Sequence, residues 1–281
     1  MLYNYLHFSV EAGDVKVISM HQHQCRGDNA LAILKELVSR IPARLEGRSG
    51  VIYFGDFPPN SCMGGVDLSF CTTHWLGGEN PHLPFPCPYS LKWPEVGIED
   101  GERLTIALLN DTSPPQDGRL FWIGADNHYS RVLLVKLAKV HPGYLDASMM
   151  EWEASPGVVR QKVYSGRYVT IPDHRRYKYL IDCPGTGYSA RLRWLLATGR
   201  PVFIVERGPV EWWHLRLRAW VHYIPVRSDL SDLMDGLRRL EEDPHLYQAI
   251  SENAKSFVAN NLLPGREIDA LVAANSSDAV G

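Results

Sequence analysis

Two rhythms of apolar and polar positions run along the chain: alternation by twos, and a stripe that recurs every three to four residues. Alternation places successive side chains on opposite faces of a strand, and the longer period gathers them on one face of a helix. In the first part VKVISM (15–20) and VIYFG (51–55) read as strands, the second halted by Pro58 and Pro59. Between them NALAILKELVSRIPARL (29–45) reads as a helix with Leu31, Leu34, Leu37, Val38 and Ile41 on one stripe. Residues 80–97 and 111–118 are rich in Pro, Gly and Asn and read as long loops. Beyond them elements follow almost without pause. RLFWIG (119–124) is a short strand, SRVLLVKLAKV (130–140) a helix, and YKYLIDC (177–183) a strand leading into the glycine loop PGTGY (184–188). SARLRWLLAT (189–198), closed by Gly199, is the next helix, and PVFIVE (201–206) the strand after it. Strand, loop, helix and strand make a βαβ unit, for which parallel pairing is the default. Residues 228–243 and 243–262 read as two amphipathic helices, capped by Ser228 or Asp229 and by Asp243. The alternation predicts an α/β fold of the doubly wound kind, with a loop-rich unit over 1–118, a regular unit over 119–262 and a tail over 263–281.

Composition changes this picture little. The chain has 281 residues, 45% of them hydrophobic, enough for one large or two modest cores. A formal net charge of -3 with scattered basic residues argues against a nucleic-acid track. The opening MLYNYLHFSVEAGD reads as neither signal peptide nor membrane anchor, and the closing SSDAVG is not a retention signal. Five cysteines fall in no repeating frame, so the expectation is reduced thiols in a cytoplasmic protein without a transmembrane segment.

The glycine loop is where chemistry is expected. Ligands of open α/β sheets lie outside the carboxyl ends of the strands. Gly185 and Gly187 let the backbone come close to a bound group, Ser189 is placed to cap the following helix, and its first N–H groups would form an anion site. Arg191 adds a forked cation in the first helical turn, where it disfavours the helix by about 0.3–1 kcal/mol. It either serves a bound anion or simply points to solvent. The loop is neither G-x-G-x-x-G nor a P-loop, so dinucleotide and ATPase readings are not indicated. Cys183 has no local His to activate it and reads as a buried small hydrophobe. His21, His23 and Cys25 share a strand face, but three ligands without a fourth fit packing better than zinc.

Several words of this sequence recur together in one family. YKYLIDCPGTGYSARLRWLLATGRPVF (177–203), the Glu-Trp-Trp at 211–213, AWVHYIPVRSDLSDL (219–233) and AKSFVANNL (254–262) resemble, in order and spacing, the CAP10-type glycosyltransferases of family 90. These include the protein O-glucosyl- and O-xylosyltransferases. Upstream, FWIGADNHYSR (121–131), YLDASMMEW (144–152), GDFPP (55–59) and LSFCTT (68–73) extend the resemblance to residues 50–262, most specifically in the last third.

The resemblance implies a GT-B-like fold, two Rossmann-like lobes with the donor held in the cleft between them. It implies an inverting, metal-independent transfer of glucose, xylose or a related sugar from a UDP-sugar to an acceptor hydroxyl on a glycan, lipid-linked or protein acceptor. No further cofactor is implied. On this resemblance Asp56 matches the catalytic base, and Thr186, Gly187, Tyr188, Ser189, Ala190 and Arg191 match the donor loop, with Arg191 on the pyrophosphate. Read as a residue alone, an Asp before an aromatic and two prolines is a turn former. The lack of any D-x-D pair agrees with a metal-free mode, because positive charge from the protein must then stabilise the leaving UDP. Where members usually carry an arginine, this chain has Ile123 before Gly124, and Arg131 is placed to supply part of that charge. Glu211 would either hold ribose hydroxyls or act as a plain helix-start acid. Trp212, Trp213, Trp220, His222 and Tyr223 read as packing residues, the last two in a strand-like run. The alternative function is a noncatalytic nucleotide- or glycan-binding relative acting as a scaffold.

Overall fold

Leu6, Phe8 and Val10 alternate with half-buried residues in β1 (Tyr5–Glu11), a period-two pattern that builds one face of a core. Ala12 and Gly13, with φ of 54° and 77°, turn the chain back into β2 (Asp14–His21). Positive φ at both central residues is what a two-residue hairpin needs to match strand twist. The computed structural model describes residues 5–21, 26–54, 66–69, 71–72, 83–155, 158–163, 168–185, 187–208 and 210–277.

The first sheet also takes in β3 (Ser49–Tyr53), β4 (Val66–Ser69) and β6 (Leu83–Pro84), in the order β2-β1-β3-β4-β6. β3, β4 and β6 run parallel and β1 antiparallel to both neighbours, so this lobe joins a parallel α/β half to a hairpin. Helix α1 (Arg26–Arg40) lays Ile33, Leu34 and Val38 on Leu6, Phe8 and Ile52. The single helix expected over 29–45 is broken: Pro42 cannot donate to the preceding turn, Ile41 leaves helical geometry, and a short α2 (Pro42–Leu45) follows.

The second sheet is larger. It comprises β7 (Asp117–Ala125), β8 (Leu145–Ser155), β9 (Val158–Val163), β10 (Tyr177–Asp182), β11 (Val202–Val205) and β13 (Ile224–Val226), in the order β13-β11-β10-β7-β8-β9. All pairs are parallel except β8 with β9 at the edge. Alternate residues feed opposite faces. Phe121, Ile123, Leu180 and Ile204 join one core with α5 (Leu192–Ala197) and the inward side of α7 (Pro244–Asn261). Leu120, Trp122, Ile181 and Phe203 join the other with α4 (Tyr129–Val140) and α6 (Leu233–Glu242). Parallel strands buried on both faces are continuously apolar, as YLI and VFIV are here.

Three expectations shift. Helix α3 (Gly101–Asn110), capped by Asp100, sends Leu108 into the second core beside Val96 and Ile98. The lobe boundary in the packing therefore lies before residue 96, not at 118. The tail expected from 263 is a helix, α8 (Pro264–Ser277), tied to both lobes as described below. Helix α6 begins at Leu233, with Asp229 closing a turn on the Ser231 N–H instead of capping it, whereas Asp243 caps α7 through the N–H groups of His245 and Leu246. His222 and Tyr223 lie in the turn before β13, where Trp220 has a φ of 61°.

The lobes meet where the chain passes from β10 to α5. Tyr188 and Ala190 of that loop are buried in the first lobe's core with Phe54, Leu68 and Phe85. Nearby, β12 (Val210–Glu211) pairs antiparallel with β5 (Cys71–Thr72).

Candidate functional site

Strand order locates the site before any side chain is considered. β7 leads through α4 to β8 on one side, and β10, its neighbour on the other side, leads through α5 to β11. The two connections diverge, leaving a crevice outside the carboxyl ends of β7 and β10, the switch point where open α/β sheets bind ligands. Its walls are the turn at 126–128 and the loop at 183–191.

Three arginines converge there. Arg131, from the first turn of α4, donates Nε to the Pro184 carbonyl at 2.8 Å, Nη1 to that of Ala125 at 2.9 Å and Nη2 to that of Cys183 at 3.3 Å. Arg191 donates Nε to Asp182 Oδ1 at 3.1 Å and Nη1 to the Ile123 carbonyl at 2.5 Å. Its Nη2 is buried without a hydrogen-bond partner among the described residues. Arg207 donates Nη1 to Asp182 Oδ2 at 2.6 Å and Nη2 to the Asp182 carbonyl at 2.7 Å. The Trp122 ring lies under two of them, 5.5 Å from the Arg131 guanidinium carbon and 5.7 Å from that of Arg191, so cation–π attraction offsets part of their repulsion. Gly124 makes room for that indole, since a Cβ would come within 2.8 Å of it.

Among the described residues, Asp182 is the carboxylate that pairs within the cluster of three guanidinium groups, and the exposed Asp126 stands in the turn at its rim. Burial pushes the Asp182 carboxyl up, but Arg207, Arg191 and the Ser189 hydroxyl outweigh it and hold it below its ordinary value. Burial, then the charge of Arg191, pushes Arg131 down to about 10, still protonated at neutral pH. The same two causes push His174 down to about 3, so it stays neutral. Burial raises the Cys183 thiol to about 12, which leaves it protonated and a poor nucleophile.

The donor-loop candidates are brought together, though not as the sequence suggested. Ser189 gives its hydroxyl to Asp182 at 2.7 Å and does not cap α5, whose first residue is Leu192. With six residues, α5 has a small dipole, so the positive charge at this loop comes from guanidinium groups more than from a helix end. The side chains of Tyr188 and Ala190 are committed to the first lobe's core, and Gly187 is buried. Gly185 lets the loop pass the Arg131 guanidinium, which a Cβ would approach to 3.1 Å. Thr186 and Asp56 lie outside the described residues, as do His23 and Cys25. Asp182 and Arg207 were not expected. Their signal is positional: an acid closing an apolar strand before a glycine loop, and an arginine just past the next strand.

Glu211 is reached from the same loop. Its carboxyl is wholly buried and accepts from Arg193 Nη2 at 3.1 Å and Trp213 Nε1 at 3.0 Å. Arg193 also donates to Glu267 of α8 at 2.8 Å. A ribose could meet Glu211 only after local opening, because no part of it touches solvent. Burial pushes Glu211 up to about 7, with Arg193 opposing and Glu267 adding to the shift.

A family model, glycosyl transferase family 90, matches residues 69–267. Protein O-glucosyltransferase 2 of Danio rerio is 32% identical over 197 residues, covering 67% of this chain and 39% of its own. Protein O-glucosyltransferase 1 of Rattus norvegicus is 30% identical over 145 residues, 50% of this chain and 36% of its own. The chain thus spans less than two fifths of the length of these relatives. Among solved structures, a glycosyltransferase from Rickettsia africae superposes with a TM-score of 0.40 at 10% identity, covering 74% of this chain and 62% of its own. Anabaena HepE in complex with UDP-glucose gives 0.36 at 14% identity, with 66% and 46% covered. Likenesses this loose say nothing about what this chain binds. The family match runs through both walls of the switch point and takes in Arg131, Arg191 and Arg207: the chain belongs to glycosyl transferase family 90.

Proposed function

We propose that this protein transfers glucose, xylose or a related sugar from a UDP-sugar to an acceptor hydroxyl, inverting the anomeric centre without a metal ion. One observation carries the reading. At the switch point between β7 and β10, the cluster of three arginines and Asp182 includes a buried guanidinium nitrogen, Arg191 Nη2, that lacks a partner among the described residues. The diphosphate of a nucleotide sugar brings two negative charges and acceptor oxygens suited to a fork. As the bond to the anomeric carbon breaks, negative charge grows on the departing UDP, and cations already in place stabilise it without reorganising. That supply of charge is the task a metal ion performs in transferases with a D-x-D pair, which this sequence lacks.

The other half of the reaction needs a base. Asp56 takes the proton of the acceptor hydroxyl as its oxygen attacks the anomeric carbon from the face opposite UDP. The role rests on the match of Asp56 to the family's motif, and the nearest described residue is Phe54. Phe54, two residues earlier, is buried beside Tyr188 and Ala190 of the donor loop, and its carbonyl accepts from Arg26 at 3.0 Å. Glucose and xylose are favoured over other sugars by the names of the relatives and by the family, not by any contact in this chain.

A noncatalytic scaffold is the second reading, favoured by Ile123: its side chain fills the core where relatives usually carry an arginine, and only its carbonyl meets Arg191. Incubation with UDP-glucose in excess chelator separates the two, because a transferase releases UDP and a scaffold does not. Asp56→Asn is expected to keep UDP affinity and to lose about 10²–10⁴-fold in transfer. Transfer at the parent rate by that variant would show that another group takes the proton.

A further inference from the structure

Asp182 ends β10 at the centre of the second sheet, and no part of it reaches solvent. A carboxylate so placed must be compensated, and here three side chains do so: Ser189 at 2.7 Å, Arg191 at 3.1 Å and Arg207 at 2.6 Å. Its main-chain oxygen accepts a second bond from Arg207 at 2.7 Å. The two arginines put this shared acid to different use. Arg207 spends its whole fork inside the protein, since Nε goes to the Val205 carbonyl at 3.1 Å. Arg191 is held from two flanks, by Asp182 at Nε and by the Ile123 carbonyl at Nη1, with the Trp122 ring beneath. One nitrogen, Nη2, is left over.

Without the carboxylate, Arg131, Arg191 and Arg207 would repel one another at close range, and the least tethered would swing toward water. Arg191 is the least tethered, having a 14% exposed side chain against 3% for Arg207. We infer that Asp182 is a positioning residue for donor binding: it never touches the nucleotide sugar, but fixes the Arg191 guanidinium so that Nη2, buried in this structure, stays unpaired for the diphosphate that reaches it on local opening, and holds Arg207 nearby as a second, non-contacting charge. This rests on the diphosphate reading above. It adds a division of labour among the cations: Arg191 contacts the ligand, Arg207 counterbalances Asp182, and Asp182 sets the angle.

A double-mutant cycle tests it, with UDP affinity measured calorimetrically for the parent, Asp182→Asn, Arg191→Ala and the pair. Asn keeps the size of the side chain and one acceptor oxygen, and circular dichroism with uridine affinity reports whether the fold is intact. Asp182→Asn is expected to weaken UDP about tenfold or more while leaving uridine unchanged, and to have no further effect once Arg191 is Ala. An equal loss from Asp182→Asn with and without Arg191 would overturn the inference, because the acid would then act through the fold at large. Unaltered UDP affinity in Arg191→Ala alone would remove the diphosphate reading, and this inference with it. Should Asp182→Asn not fold, Arg191→Lys decides: one ammonium cannot both pair with Asp182 and reach the phosphate, so UDP affinity falls about tenfold, whereas parent affinity would show that charge without a positioned fork suffices.

Discussion

Glu211 and Arg193 show how strongly single groups feel their surroundings in this molecule. With Glu267 they form a buried cluster of two acids and one base, and Glu211 Oε1 has no hydrogen-bond partner among the described residues. Burial raises the folded-state pKa of Glu211 from 4.5 to about 7. A raised acid favours folding fully below the lower value, and that stabilisation is lost as pH rises through the upper one. Glu211→Gln keeps an acceptor for Arg193 and Trp213 but cannot ionise. Its melting temperature relative to the parent is therefore expected to gain on the order of 5 °C between pH 5 and pH 8. A difference that stays constant across that range would contradict the assignment. At this scale the sequence was informative in one direction only. Arg191 follows the glycines of a loop whose position announces ligand binding, and Arg131 belongs to the family-like word at 121–131. Asp182 and Arg207 stand in apolar strands and their margins, where polarity reads as a boundary, and only packing reveals that they share an ion pair at 2.6 Å.

Among elements, α8 changes the picture most. Glu267 meets Arg193 of α5 in the second lobe, while Asp269 pairs with Arg40 of α1 in the first. The buried half of this strap matters more to stability than the exposed half, because surface pairs contribute little. Losing Arg193 strands two acids, whereas losing Glu267 leaves a neutral Arg193–Glu211 pair. Urea titration is expected to show Arg193→Met destabilised by about 3–5 kcal/mol and Glu267→Gln by clearly less. Equal losses would mean the cluster is not electrostatically coupled. The helix was not legible as part of the fold because it follows the last family-like word and ends in a polar segment. α3 hid among Pro- and Gly-rich neighbours, whereas β1 is a short alternation with aromatic and polar residues at its outward positions. The strands and helices of the second lobe were legible because both faces of its sheet are covered, and that demands long apolar runs.

In the molecule as a whole the two α/β lobes meet, among the described residues, at the β10–α5 loop in the first lobe's core, at the β5–β12 ladder, at Trp93 and through α8. The loop proposed to hold the donor also docks the lobes through Tyr188 and Ala190, so on that proposal donor binding and the lobe interface share one loop. The proposed role of Asp56, which lies outside the described residues, is tested kinetically. The charge cluster can be tested without turnover. Calorimetric titration of the parent with UDP and with uridine isolates the contribution of the diphosphate. Two charge-assisted hydrogen bonds, each contributing about 1.5–3 kcal/mol, predict that UDP binds at least about 100-fold more tightly than uridine. Equal affinities for the two, or no binding of UDP, would contradict a diphosphate held by Arg191 and its neighbours.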